Sequence, residues 1–367
     1  MTVRRLPLLE QRRAELELCV YCPKLCRAAC PVSNAEPREV LIPWGKMSTA
    51  YFMARGMAAA DAPHAATAWA CTGCGACGER RCDHHNDVAG TLLDARAWHF
   101  DEGRAPGPAR RVAERFARHG RRARQAAERL GARLGAGREG RAFLAGCAYA
   151  RALPGVALDA ARVARAFAGP VRPLGACCGR PLLEAGDRAG FVEAARAFVR
   201  EAGGPSAEVL ALDPGCARTL IESYPQADPS LSLKVTLLVD VVASELGRLR
   251  PLEAPPPAVR YHDPCHLGRG LGRFDGPRAL IARLTGRAPA ELPDARRASA
   301  CSGGGGLLPA TMPEVAGRIA RARAGEHRAA GGGTLVTACA SSTLALRRAG
   351  EGAVDLFELV ARGLGGA

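Results

Sequence analysis

The sequence predicts an α/β protein: a helical, cysteine-rich N-terminal module followed by two duplicated α/β domains with parallel sheets. Three observations carry this. Eight of the 15 cysteines, and all three tryptophans, crowd into residues 1–103, where β-branched runs are few. From residue 141 onward, short apolar runs alternate with amphipathic stretches, the pattern of strand–helix units. Features of that second part then recur in the same order at a near-constant offset. At 367 residues and 48% hydrophobic, the chain is long enough for two or three domains and too apolar for a disordered one.

The elements follow in order. Within residues 1–103, WGKMSTAYFMARGMAAA (44–60) and DVAGTLLDARAWHF (87–100) have helical spacing, and Val88, Leu92, Ala95 and His99 share one face of the second. Residues 104–140 form an Arg-rich helical connector, opened by Pro106, Gly107 and Pro108. Counted through Arg141, it holds 12 Arg against three Glu, which is +9 of the chain's +15. The first α/β domain spans 141–250, the second 257–367. RAFLAG (141–146), EVLALD (208–213), AVRYHD (258–263) and TLVTA (334–338) read as buried strands. DAARVARAFA (159–168), FVEAARAFVREA (191–202) and PEVAGRIARARAGEHRAA (313–330) read as helices. VTLLVDVVASEL (235–246) and AVDLFELVARGL (353–364) read as the apolar helix closing each copy. GRLRPLEAPPPAV (247–259) reads as a Pro-rich hinge between the copies.

The repeat is marked by cysteine. A strand followed by Cys occurs at Cys147 and again 118 residues later at Cys265. A Cys before a Gly-rich turn occurs at Cys178 and, 123 later, at Cys301; a strand ending in Cys occurs at Cys216 and, 123 later, at Cys339. Fifteen is odd, so a purely disulfide-paired set leaves one thiol over. The N-terminus has no apolar stretch of signal-peptide length, and no run reaches the roughly 18 apolar residues of a membrane-spanning helix. The expectation is a cytoplasmic protein, where clustered thiols mean metal or redox chemistry.

The first constellation is CVYCPKLCRAACP, with Cys19, Cys22, Cys26 and Cys30. The second is CTGCGACGERRC, with Cys71, Cys74, Cys77 and Cys82. Ferredoxin-type sites use C-x2-C-x2-C-x3-C-P, in which the fourth Cys serves the other cluster. Three thiolates on one tight loop reach three corners of a cubane, and the fourth corner faces another segment. On that logic Cys19, Cys22, Cys26 and Cys82 hold one 4Fe–4S cluster, and Cys71, Cys74, Cys77 and Cys30 the other. Each motif departs by one inserted residue, and Asp83 stands where the second Pro belongs. The competing reading is a pair of zinc sites, but zinc ribbons want two C-x2-C pairs per site rather than two quartets.

The remaining thiols are Cys147, Cys177, Cys178 and Cys216 in the first copy, and Cys265, Cys301 and Cys339 in the second. All sit at the carboxyl ends of expected strands, the edge at which open α/β sheets bind ligands. The repeated order C…CCG…C, with HDPCHLGR (262–269) opening the second copy, resembles the cysteine-rich CCG-domain family. That family includes heterodisulfide reductase subunits and the iron–sulfur subunits of glycolate, lactate and anaerobic glycerol-3-phosphate oxidation systems. The eight-Cys module in front completes the same architecture. The resemblance implies an iron–sulfur electron-transfer subunit, with two 4Fe–4S clusters in the module and one or two further clusters in the CCG domains. It also implies a flavoprotein dehydrogenase partner for a hydroxy acid or glycerol phosphate, and a quinone or other carrier at the far end. The alternative within the family is a catalytic disulfide reductase.

Departures from the family pattern bear on that choice. The heterodisulfide pattern closes each copy with C-x-x-C, whereas Thr219 and Ser342 occupy the last place here. Ala300 precedes Cys301, so the second copy keeps three thiols. Ser302, His262 and His266 are candidates for its fourth ligand, unless the two copies share a site. Asp263 is expected to cap a helix beside Cys265, with the HDPCHLGR polar groups supporting its thiolate. His84 and His85 follow Cys82 and either shield a cluster or lie on the surface. The glycine run 303–306 lacks a nucleotide-binding context and fits close backbone approach to a cluster. The Arg-rich connector has one aromatic, Phe116, so no nucleic acid is expected; it reads as a solvated helix or as a docking face for an acidic partner or the anionic inner membrane leaflet.

Overall fold

A computed structural model of the chain describes residues 7–22, 24–135 and 139–364. Among these, the N-terminal module contains helices and 3₁₀ turns and no strand. Prolines open Pro31–Ala35 and Pro43–Ala54, positions where a missing N–H is tolerated. Met47, Ala50 and Met53 of the second helix meet Leu92, Ala95 and Trp98 of Val88–Asp101, with Leu16 and Trp69 completing a core of their own. Val88, Leu92, Ala95 and His99 are all buried.

The connector forms two helices, Gly107–Glu114 and Phe116–Leu134. The longer one buries Ala123, Ala127, Leu130 and Leu134, while Arg118, Arg121, Arg122, Arg129 and Arg133 stay exposed. Its apolar stripe lies on the first α/β repeat, where Leu130 and Leu134 join a core with Phe143 and Phe167.

Each repeat is a four-stranded parallel sheet. The first orders β1 (Arg141–Leu144), β2 (Val171–Pro173), β3 (Glu208–Ala211) and β4 (Lys234–Leu237) as β2-β1-β3-β4. The second orders β5 (Val259–His262), β6 (Ala290–Glu291), β7 (Thr334–Thr337) and β8 (Val354–Asp355) as β6-β5-β7-β8. Ala142 pairs with Val209 in one, and Val259 with Thr334 in the other. The same order occurs twice, with every pair parallel.

Two helical expectations need correction. Residues 235–237 belong to β4, and the helix is only Leu238–Ser244; likewise 354–355 are β8, and the helix is Leu356–Arg362. In both cases a strand runs straight into a helix with no loop, so the apolar run changes period without punctuation. Asp355 marks the second junction, its carboxylate accepting from Phe357 N in a capping box with Glu358.

The Pro-rich segment is not a hinge. Leu249 is fully buried, Arg250 N donates to Gly363 O at 2.8 Å, and Leu252 N donates to Leu284 O at 2.8 Å. The segment is laid onto the second repeat, and the two sheets share one continuous core. Across it, Tyr149 Oη donates to the buried Asp355 carboxylate at 2.7 Å.

Candidate metal centres

The module brings its thiols together from distant segments. Cys19 ends helix Arg13–Val20 and lies within electrostatic reach of Cys26, Cys82 and Cys22; burial pushes its thiol up to about 12. Cys77, raised mainly by burial, lies within reach of Cys74, Cys71 and Cys30. The loop 71–75 turns through left-handed Gly73 and Gly75, which lets three thiols face one volume. Cys26 in turn feels both Cys22 and Cys30, so the two groups adjoin.

Donors are aimed at these sulfurs. Asn86 Nδ2 donates to Cys19 Sγ at 3.0 Å and to Glu15 O at 2.8 Å. Lys46, 1% exposed, donates from Nζ to Cys30 Sγ at 3.5 Å, and Gly73 N donates to Cys71 Sγ at 3.4 Å. Sequence reading missed Lys46 and Asn86. The one available signal was a lysine in the middle of an otherwise apolar helix face. His84 and His85 are exposed, and the His85 ring lies against Gly78 O.

In the first repeat the loops after β1, β2 and β3 carry the thiols. Cys147 opens helix Cys147–Ala152, Cys177 and Cys178 precede left-handed Gly179, and Cys216 lies in Pro214–Arg218. Cys178 Sγ is 3.4 Å from Cys216 Sγ, and Cys147 Sγ lies within 4.8 Å of Cys177 Sγ. Asp213, raised to about 6 by burial, accepts from Cys216 N at 2.9 Å. Gly146 has no room for a side chain: an added Cβ would lie 2.8 Å from the Asp213 Cβ. Among the described residues, His119, Cys147 and Cys177 form a trio whose donor atoms all lie within 4.8 Å of one another. His119 comes from the connector, and nothing in its sequence spacing singled it out.

In the second repeat Cys265 packs beside Cys301, and Cys339 lies within electrostatic reach of Cys265. The candidates for a fourth ligand are engaged elsewhere. Ser302 Oγ is 3.0 Å from Ser342 Oγ, and His262 Nδ1 accepts from Arg323 Nε at 3.2 Å. His266, held neutral by burial and by Arg180, Arg218 and Arg269, accepts at Nε2 from Arg180 at 2.8 Å. Asp263 is not a helix cap, because Arg278 grips its carboxylate at 2.7 and 2.8 Å and Arg296 N donates to it as well. What reaches the second-repeat thiols is the module: Cys74 packs against Cys301, and Cys301 Sγ donates to Thr72 Oγ1 at 3.6 Å.

Backbone packing makes that contact possible. A Cβ on Gly305 would lie 2.7 Å from Thr72 O, and one on Gly306 would lie 2.1 Å from Cys71 O. The glycine run therefore serves close approach to the loop that carries Cys71 and Cys74. Arg269 fastens the same contact, donating to Cys74 O at 2.8 Å and to Ser299 O at 2.6 Å. Arg180 lies within reach of Cys178 and Cys265, so the two repeat sites face each other across one guanidinium.

The donor set fits iron–sulfur ligation. Soft thiols converge from separate loops, largely out of water, with N–H groups and cations directed at sulfur. Thr219 Oγ1 is spent on Gly215 O at 2.8 Å, so the first repeat offers four thiols and an imidazole rather than five thiols.

Comparison with known proteins gives two family matches. A 4Fe-4S dicluster domain matches residues 15–86, and a cysteine-rich domain, CCG, matches residues 259–347. The chain is 26% identical over 310 residues to a subunit of the CoM/CoB fumarate reductase of Methanothermobacter marburgensis, covering 80% of this chain and 60% of that protein. It is 33% identical over 113 residues to a subunit of the dihydromethanophenazine:CoB–CoM heterodisulfide reductase of Methanosarcina mazei, covering 29% of this chain and 28% of that one. A probable membrane-anchored ferredoxin of Chromohalobacter salexigens is 35% identical over 127 residues, 33% of this chain and 19% of that protein. The chain thus spans 60% or less of the length of each of these relatives. Among the described residues, no helix is long and apolar enough to cross a membrane.

Proposed function

We propose that this chain, whose residues 15–86 are a 4Fe-4S dicluster domain and whose residues 259–347 are a cysteine-rich CCG domain, relays electrons as one subunit of a larger oxidoreductase. A flavoprotein dehydrogenase acting on a hydroxy acid or glycerol phosphate stands at one end, and a quinone or other carrier at the other. The observation that supports this is a succession of thiol groups, interrupted at one place by an arginine. Cys26 adjoins Cys30, Cys77 and Cys74 follow, Cys301 adjoins both Cys74 and Cys265, and Arg180 lies between Cys265 and Cys178.

In this reading Cys19, Cys22, Cys26 and Cys82 hold one cluster, and Cys30, Cys71, Cys74 and Cys77 a second. Cys147, Cys177, Cys178 and Cys216 hold a third, and Cys265, Cys301 and Cys339 form the least complete set. When bound, the clusters supply one-electron transfer. The chain's own residues keep water away, fix the thiols on short loops, direct Asn86 and Lys46 donors at sulfur and hold the Arg180 charge nearby, so that added negative charge is met by groups already in place.

Anaerobically purified protein should be brown, with at least about eight Fe per chain. A colourless protein holding zinc would overturn the reading. The double variant Cys177→Ser/Cys178→Ser should lose about four Fe and keep the two module EPR signals. Isolation of the chain from its own cells should bring down a flavin-containing polypeptide, and its absence would remove the flavoprotein partner.

One observation favours catalytic disulfide reduction as a second reading. A cavity of about 140 Å³ lined by Arg12, Arg96, Arg180, Arg218 and His266 opens beside Cys71, between the module and the repeats. Asp87, Glu184 and Glu222 share the lining and pair with Arg12, Arg180 and Arg218, so what suits a disulfide there is the Cys71 thiol at the cavity edge. Turnover of a disulfide by the isolated, reduced chain would establish this reading over the first.

A further inference from the structure

The connector's histidine sits where nothing in the family pattern requires one. His119 projects from helix Phe116–Leu134, its ring stacked on Phe116 with centroids 5.8 Å apart. Arg151 Nη1 lies 2.9 Å from His119 Nδ1. A guanidinium has only hydrogens to offer, so Nδ1 accepts, and the neutral imidazole carries its hydrogen on Nε2. Nε2 is buried and has no hydrogen-bond partner within the protein. A buried N–H left unmatched destabilises the fold that holds it. The groups beside it are the sulfurs of Cys147 and Cys177.

We propose that His119 is a positioning residue of the first-repeat sulfur site, its Nε2–H donating to the Cys147 and Cys177 sulfurs and its tautomer set by Arg151. This rests on the assignment of Cys147, Cys177, Cys178 and Cys216 to one cluster. Direct ligation of iron by His119 is a different arrangement: it needs a free lone pair on Nε2, hence a hydrogen on Nδ1, which faces the Arg151 donor. An N–H aimed at sulfur withdraws electron density and favours the reduced, more negative state, raising the reduction potential of that site. Within the second repeat, Cys301 Sγ receives the backbone N–H of Gly303 at 3.3 Å, and the imidazoles of His262 and His266 are held by arginines. The connector thus gives the first-repeat site an imidazole donor, whereas the donors described at the second-repeat sulfurs are the backbone N–H groups of Gly303, Ser341 and Ser342.

The test is an anaerobic redox titration of the full chain followed by EPR, with iron and sulfide counted in every variant. His119→Ala should lower the midpoint potential of the first-repeat centre, leave both module centres where they are, and leave the iron count unchanged. His119→Gln, which retains an N–H donor, should recover part of the shift. Arg151→Met, a surface change that frees the tautomer, should move the same centre in the same direction by less. An unchanged potential in His119→Ala overturns the proposal. So does loss of about four Fe together with a strong nitrogen coupling in the wild-type signal, since that pair of results means direct ligation. If the wild type has no centre that depends on Cys177 and Cys178, the cluster assignment itself fails, and the iron count separates that outcome from the others.

Discussion

His99 shows how much one buried side chain can say about pH. Its ring lies 4.3 Å from that of Trp98 and 6.3 Å from that of Trp69, and its Nδ1 has no partner. Burial, helped by nearby Arg104, lowers it to about 3. The unfolded chain takes up this proton near pH 6.5 and the folded chain does not, so stability is full above 6.5 and falls as pH drops toward 3. Between pH 7.5 and pH 5 the loss amounts to about 2 kcal/mol. Anaerobic urea titrations at the two pH values should show it, and His99→Leu should flatten the difference; an unchanged slope would mean other groups carry the acid sensitivity. At this scale the sequence was partly legible. All 15 cysteines announce themselves by spacing, whereas Lys46, Asn86 and His119 act on sulfurs brought near only by folding.

At the scale of elements, the four strands found from sequence are the central ones, β1, β3, β5 and β7. Covered on both faces, they read as continuous apolar runs such as Phe143–Leu144 and Leu335–Val336. The four missed are the edges. β2 ends in a proline, β6 is two exposed residues, and β4 and β8 fuse directly with the helices behind them. The glycine run is an element-level device too, because Gly306 combines a φ of 64° with backbone contact to Cys71. Gly306→Ala should cost about 2 kcal/mol or more, from left-handed strain and a clash with backbone that has nowhere to go. Thermal unfolding of the iron-loaded chain measures it, and a melting temperature equal to the wild type's would show that the close approach is dispensable.

For the whole molecule, Arg96 is the point at which three parts meet. Only 2% exposed, it donates to Ala68 O and Cys71 O in the module, to Glu184 O in the first repeat and to Gly306 O in the second. Arg96→Met strands four carbonyls at about 1–3 kcal/mol each before relaxation. The expected result is that a single cooperative calorimetric transition splits, with the module melting first. A single transition at the wild-type temperature would assign the cohesion to Arg269 and the glycine run instead.

Sequence alone determined the helical module, the duplicated α/β repeat and the full set of thiols, because spacing and periodicity are local and survive in one dimension. Which thiols adjoin across the parts was decided only by tertiary structure. Cys74 next to Cys301, Arg180 between Cys178 and Cys265, and His119 beside Cys147 are contacts between segments tens to hundreds of residues apart. Such contacts arise from a shared core and close backbone packing, and no spacing rule within one segment encodes them.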